Sequence, residues 1–78
     1  MTDQLIELFA EILNVPADTL NDDSSPNSVE QWDSLAAMHL VSTLEEEYDV
    51  ELSTVEIMDM RSISSVRRIL RMKGIENV

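Results

Sequence analysis

Seventy-eight residues suffice for one domain with a modest core, because a chain this short buries only about 60% of its unfolded surface, and a deep catalytic cleft is excluded. Sixteen carboxylates against five Lys and Arg leave a formal charge of −11, and the cations Arg61, Arg67, Arg68, Arg71 and Lys73 all follow position 60. That distribution excludes ordinary nucleic-acid binding, and the absence of cysteine excludes a disulfide framework, a thiolate metal site and a cysteine nucleophile.

From Thr2 to Asn14 the apolar residues Leu5, Ile6, Leu8, Phe9, Ile12 and Leu13 form the stripe of an amphipathic helix. Thr2 can cap it and Asp3 suits its first turn. Pro16 disfavours helical geometry at Val15, so the helix should end near Asn14. Val15 to Asp33 is rich in Asp, Asn, Ser and Pro, with Val15, Leu20, Val29 and Trp32 as apolar anchors. Connections this long are usually functional or disordered; here an ordered loop pinned by Leu20 and Trp32 is expected, with a turn of helix around Asp18 to Leu20. Its acidic residues lack the alternation and the glycine of a calcium loop.

A second helix is predicted over Ser34 to Tyr48, capped by Asp33 or Ser34, with Ala37, Leu40, Val41, Leu44 and Tyr48 on its buried face. The capping-box pattern Ser53-Thr54-Val55-Glu56 opens a short third helix to about Met60. Ser64 signals a fourth, in which Ile63, Val66, Ile69 and Leu70 close the bundle and Gly74 supplies the stop. The expected architecture is all-α over a single domain, 1–78: a four-helix bundle with three longer helices, a short third one and a long first loop. No apolar run approaches the roughly 20 residues of a membrane span and no basic leader opens the chain, so a soluble, monomeric, cytoplasmic protein is expected.

The first 60 residues hold 15 of the 16 carboxylates and no Lys or Arg, a surface suited to basic partners. Arg67, Arg68, Arg71 and Lys73 approach the negative end of the fourth helix, where cations are favourable. Glu45, Glu46 and Glu47 crowd the carboxyl end of the second, where each anion is disfavoured by roughly 0.3–1 kcal/mol. Either they form a working surface or the fourth helix's arginines neutralise them.

Trp32-Asp33-Ser34-Leu35 stands where the long loop meets the second helix. Asp-Ser-Leu at a helix start, the Leu-Glu-Glu-Glu-Tyr-Asp-Val-Glu-Leu run of residues 44 to 52 and the order of the helices resemble the acyl carrier proteins over nearly the whole chain. The resemblance implies that Ser34 receives 4'-phosphopantetheine from coenzyme A through a phosphopantetheinyl transferase (holo-acyl carrier protein synthase). It implies too that acyl-transferring and acyl-modifying enzymes with basic docking surfaces are the partners, and that Asp33 orients the serine or helps place Mg²⁺ in the transferase complex. Physics makes the position reasonable, since orphan N–H groups and the positive dipole end of a helix favour an attached phosphodiester.

No catalytic residue is expected, so the chain is read as a carrier and not an enzyme. His39, the only histidine, lies five residues on, about 140° around the helix, and cannot act as a base on Ser34. Leu35, Met38, His39, Ser42 and Glu46 form the strip expected to meet partners, with Leu35 and Met38 as apolar contacts and Glu45, Glu46 and Glu47 drawing Lys and Arg. Core filling is the competing role for Met38. Ile57, Met58 and Met60 could shelter a cargo chain, but core packing is the expected role. Carriers of bacterial fatty acid synthesis usually have acidic residues where Ala36 and His39 stand, a larger apolar one at Ser42 and Gly at Trp32. Those departures point to a specialised acyl, aminoacyl or polyketide cargo. Two alternatives stand beside this reading: a peptidyl or aminoacyl carrier, and an unmodified acidic adaptor for a basic protein surface.

Overall fold

The computed structural model describes residues 3–76 and 78. Its elements are four α-helices, α1 Gln4–Leu13, α2 Ser34–Tyr48, α3 Thr54–Met58 and α4 Ile63–Met72, with a turn of 3-10 helix at Ala17–Thr19. Leu5 and Phe9 of α1, Leu40 and Leu44 of α2, and Ile63, Val66 and Leu70 of α4 are fully buried and form the centre of the core. Burying each contributes roughly 1.5–3 kcal/mol, so most of the helical stability comes from packing. Of the face expected on α2, Leu40 and Leu44 are buried, while Ala37, Val41 and Tyr48 are half-buried at its edges. Among the described residues no helix is long and apolar enough to cross a membrane.

The helix ends follow local chemistry, with three adjustments. Thr2 lies outside the described residues, and Asp3 caps α1, its Oδ1 accepting from the N–H groups of Leu5 and Ile6 at 3.1 and 3.3 Å. Asn14 ends α1 in the left-handed conformation, which asparagine tolerates better than most residues. The expected capping box holds at α3, where Ser53 and Glu56 exchange bonds, but α3 ends at Met58, short of Met60. The third adjustment is at α4, whose cap lies two residues before the expected signal. Ser62, not Ser64, is its cap, with Oγ accepting from Ser65 N–H at 3.1 Å. Gly74, at φ +93°, provides the stop.

The long loop explains that earlier cap. Ser24 and Asp22 offer their carbonyls to the N–H groups of Ile63 and Ser64 at 3.1 and 3.0 Å. These are orphan donors of the first turn, so the loop itself completes the cap of α4. Within the loop, Asn21 N–H donates to the Ser24 hydroxyl and Ser25 N–H to that of Ser28. Leu20 and Trp32 are buried, as expected of its two pins. Trp32, only 3% exposed, meets the Phe9 ring edge-on, with centroids 5.2 Å apart and planes at 66°.

Arg67 ties three segments together. It sits in the middle of α4, so the helix dipole is not its reason; its guanidinium reaches Asp3 and Asp22, each at 2.8 Å. Burial pushes the Asp3 carboxyl up, but the bonds and charge of Arg67 and the N–H groups of Ile6 and Leu5 outweigh it and hold the pKa below its ordinary value. Arg67 Nε is buried without an acceptor among the described residues, which offsets part of the gain, and both aspartates are substantially exposed. The net contribution is therefore about 1 kcal/mol. A depressed folded-state pKa stabilises above the unfolded value, near pH 4, and the stabilisation is lost as pH falls through the folded value. Urea unfolding of wild type and Arg67→Met should differ at pH 7 and converge toward pH 3. An undiminished difference at pH 3 would refute the ion-pair origin.

Candidate functional site

Ser34 is the first residue of α2 and is exposed, and no hydrogen bond involves its hydroxyl among the described residues. Asp33 is the cap: its Oδ1 accepts from Ala36 N–H at 2.9 Å and its carbonyl from Ala37 N–H at 2.8 Å. The N–H groups of Ser34 and Leu35 then have no acceptor among the described residues, and both belong to the positive end of the 15-residue α2. Capping by the neighbour leaves the serine oxygen free while the helix start stays ordered. Trp32, two residues earlier, anchors the approach to the core. A serine oxygen so placed, beside two free donors, fits a phosphodiester.

Leu35 and Met38 are 80% and 71% exposed, which rules out core filling as the role of Met38. His39, Ser42 and Glu46 are exposed on the same helix. The glutamates separate by role. Glu45 is half-buried and its Oε2 accepts from Leu52 N–H at 2.9 Å, tying α2 to the segment before α3, whereas Glu46 and Glu47 are exposed.

The α4 cations do not neutralise this cluster. Arg67 pairs with Asp3 and Asp22, Arg68 with Asp59 and Lys73 with Glu56, while Arg71 Nε donates to the Val78 carbonyl oxygen. Of the four, Arg71 alone stands in the last turn of α4. Glu46→Gln and Glu47→Gln should therefore each stabilise the fold by about 0.3–1 kcal/mol through relief of the dipole clash. Glu45→Ala should cost about 1 kcal/mol by freeing the Leu52 donor. Denaturant titration checks all three, and destabilisation by either glutamine would show that the exposed pair serves the fold.

An apolar depression of about 300 Å³, lined by Ala37, Met38, Val41, Ser42 and Ile57, lies between α2 and α3. Of the three residues considered for such a space, only Ile57 lines it. Core packing does not describe Ile57 or Met58, both exposed, because the five-residue α3 buries none of its side chains; Met60 does pack partly against the core.

Residues 3–70 match the family model described as the phosphopantetheine attachment site. The chain belongs to that family. It is a carrier protein and not an enzyme, and its cofactor is covalently bound phosphopantetheine. A solved structure similar to this carrier is the solution NMR structure of a holo acyl carrier protein from Geobacter metallireducens. The TM-score is 0.82 at 24% identity, over 92% of this chain and 83% of that one, which establishes the shared helical fold. No curated protein matches the carrier.

Two residues that matter to this carrier were missed in the sequence. The helix dipole does not account for Arg67, which pairs with Asp3 and Asp22, and Glu45 parts from its exposed neighbours by accepting from Leu52 N–H. A sequence signal for either is absent, because the partners lie 64 and 45 residues away for Arg67 and beyond the helix end for Glu45.

Proposed function

We propose that residues 1–78 form one carrier domain in which the Ser34 oxygen is the attachment atom. A phosphopantetheinyl transferase places the arm there from coenzyme A, and the arm's terminal thiol then carries acyl groups as thioesters. The observation that carries this reading is the free, exposed Ser34 hydroxyl at the start of a helix whose cap is supplied by Asp33. Leu35 flanks the attachment point. With Met38, His39 and Ser42 it offers partners an apolar and polar strip, while Glu46 and Glu47, with Glu45 behind them, attract basic docking surfaces.

The cargo is a specialised acyl, aminoacyl or polyketide group, a reading supported by Trp32, Ala36, His39 and Ser42. The depression beside Ile57 supports partial shelter for a short apolar chain. Dependence on coenzyme A and the absence of cysteine support a cytoplasmic setting. Incubation with a phosphopantetheinyl transferase and coenzyme A should add one arm by intact mass, and tandem fragmentation should place it on Ser34. A bare protein after complete conversion of a control carrier would sink the proposal.

A further inference from the structure

His39 is the one residue before position 61 whose side chain can become a cation, because the first 60 residues hold no Lys or Arg. A histidine ordinarily takes up its proton between pH 8 and pH 5, a range in which carboxylates and lysines keep their charge. The fold leaves this one in the open. His39 is exposed on α2, and among the described residues it enters no ion pair and no hydrogen bond. It stands at the sixth position of a 15-residue helix, beyond the first turn where the dipole acts, so neither packing nor the dipole gives it a structural task.

Its neighbours make the position matter. Steps of four, three and four residues put Leu35, His39, Ser42 and Glu46 in one row along α2, with His39 and Glu46 about 10 Å apart along the axis. Leu35 is 80% exposed at the attachment end of the row, and Glu46 is exposed at the other. No carboxylate stands on α2 between Ser34 and Leu44 to offset a charge on the imidazole. The carboxylates of the surrounding elements have other places. Asp33 caps α2, Glu45 holds Leu52 N–H, and Glu56 and Asp59 of α3 pair with Lys73 and Arg68. Glu7 and Glu11 of α1 line a depression with Glu47 and Tyr48 at the far end of α2, and Glu30 stands exposed on the loop. Protonation of His39 thus turns the middle of the row from neutral to positive, next to the glutamates that attract Lys and Arg of a partner.

We propose that His39 is a proton-gated specificity residue of the docking strip: neutral, it admits a partner enzyme that lays Lys or Arg along α2, and protonated, it repels the same enzyme. The inference rests on the reading of α2 as the docking face beside Ser34 and adds the regulation of that face. Acidification lowers partner affinity without loosening the helix, since the imidazole makes no bond on which α2 depends.

The test measures arm loading from coenzyme A by a phosphopantetheinyl transferase with a basic docking surface, at pH 8 and at pH 5.5, for wild type and His39→Gln. Dividing one KM by the other removes the enzyme's own titration. The ratio of wild type to His39→Gln should rise about threefold at the lower pH while the ratio of kcat values stays level, and high salt should flatten the rise. His39→Lys should have a KM about threefold above that of His39→Gln already at pH 8. Calorimetry of binding without coenzyme A, between pH 6 and 7 in buffers of different ionisation enthalpy, should show proton release by the wild type beyond that of His39→Gln, because binding and protonation oppose each other. A histidine with only a structural role gives no such release, and circular dichroism verifies that the variants stay folded. The proposal is overturned by a KM ratio that is equal at the two pH values, by a pH effect confined to kcat, by His39→Lys loading as well as His39→Gln at pH 8, or by equal proton release. Loading of the wild type on Ser34 with a level KM ratio overturns this inference and leaves the attachment reading standing, whereas failure of every variant to load removes both.

Discussion

Ser34→Ala protein should fold like the wild type and accept no arm. The substitution removes one exposed oxygen that makes no bond among the described residues, so the stability change should stay within about 0.5 kcal/mol. Loading should fall to nothing, since no other residue holds the same place at the start of α2. Asp33→Ala provides the contrast. It leaves the oxygen in place but removes the acceptor for Ala36 N–H, and should cost about 1 kcal/mol of stability. It should also slow loading, because the first turn of α2 frays. Intact mass against time, with urea unfolding of each protein, measures both. An adduct that persists in Ser34→Ala would move the attachment point elsewhere and remove the basis for the carrier site.

Trp32→Ala should be the most destabilising single change near the site, at about 3–5 kcal/mol. The indole is 3% exposed and meets Phe9 edge-on at 5.2 Å, so truncation loses apolar burial, an aromatic contact and packing over the cavity that remains. In a domain of this size such a loss is a large share of the total stability. Trp32→Phe should cost much less, because most of the volume remains. Thermal and urea unfolding compare the two, and a loss under about 1 kcal/mol for the alanine variant would show that Trp32 does not anchor the loop. The change should also slow arm loading at temperatures where the protein stays folded, since Trp32 holds the chain two residues before Ser34.

The elements were legible because their signals are local. The apolar spacing of α1 and α2, the capping box at Ser53 and the stop at Gly74 each depend on residues within a turn or two, and the helices stand close to where those signals put them. Trp32 and Leu20 could be read as anchors because isolated apolar residues in a polar loop have few other uses. The place of Ser34, the proposed attachment residue, at a helix start was legible, as was the resemblance to acyl carrier proteins, although the choice between Asp33 and Ser34 as cap was open. Backbone geometry settles it, since only the residue just outside the helix can turn its side chain onto the Ala36 donor.

Pairings between distant segments were not legible. Ser62 caps α4 in place of Ser64 because the carbonyls of Asp22 and Ser24, some 40 residues earlier, supply acceptors that no local pattern announces. Met58 reads as a core filler from composition, and core filling competes with partner contact for Met38, yet both side chains are exposed, because a methionine's role depends on what the neighbouring helices leave uncovered.

By itself the sequence determined the helical class, the order and approximate ends of the elements, the one-sided charge and the serine at the head of α2, all consequences of periodicity and capping over a few residues. Tertiary structure alone decided that Arg67 clasps Asp3 and Asp22, that Glu45 serves the fold while Glu46 and Glu47 face solvent, and that an apolar depression opens between α2 and α3. Such pairings depend on which segments the folded core brings together, and the chemistry of a single stretch of chain carries no record of them.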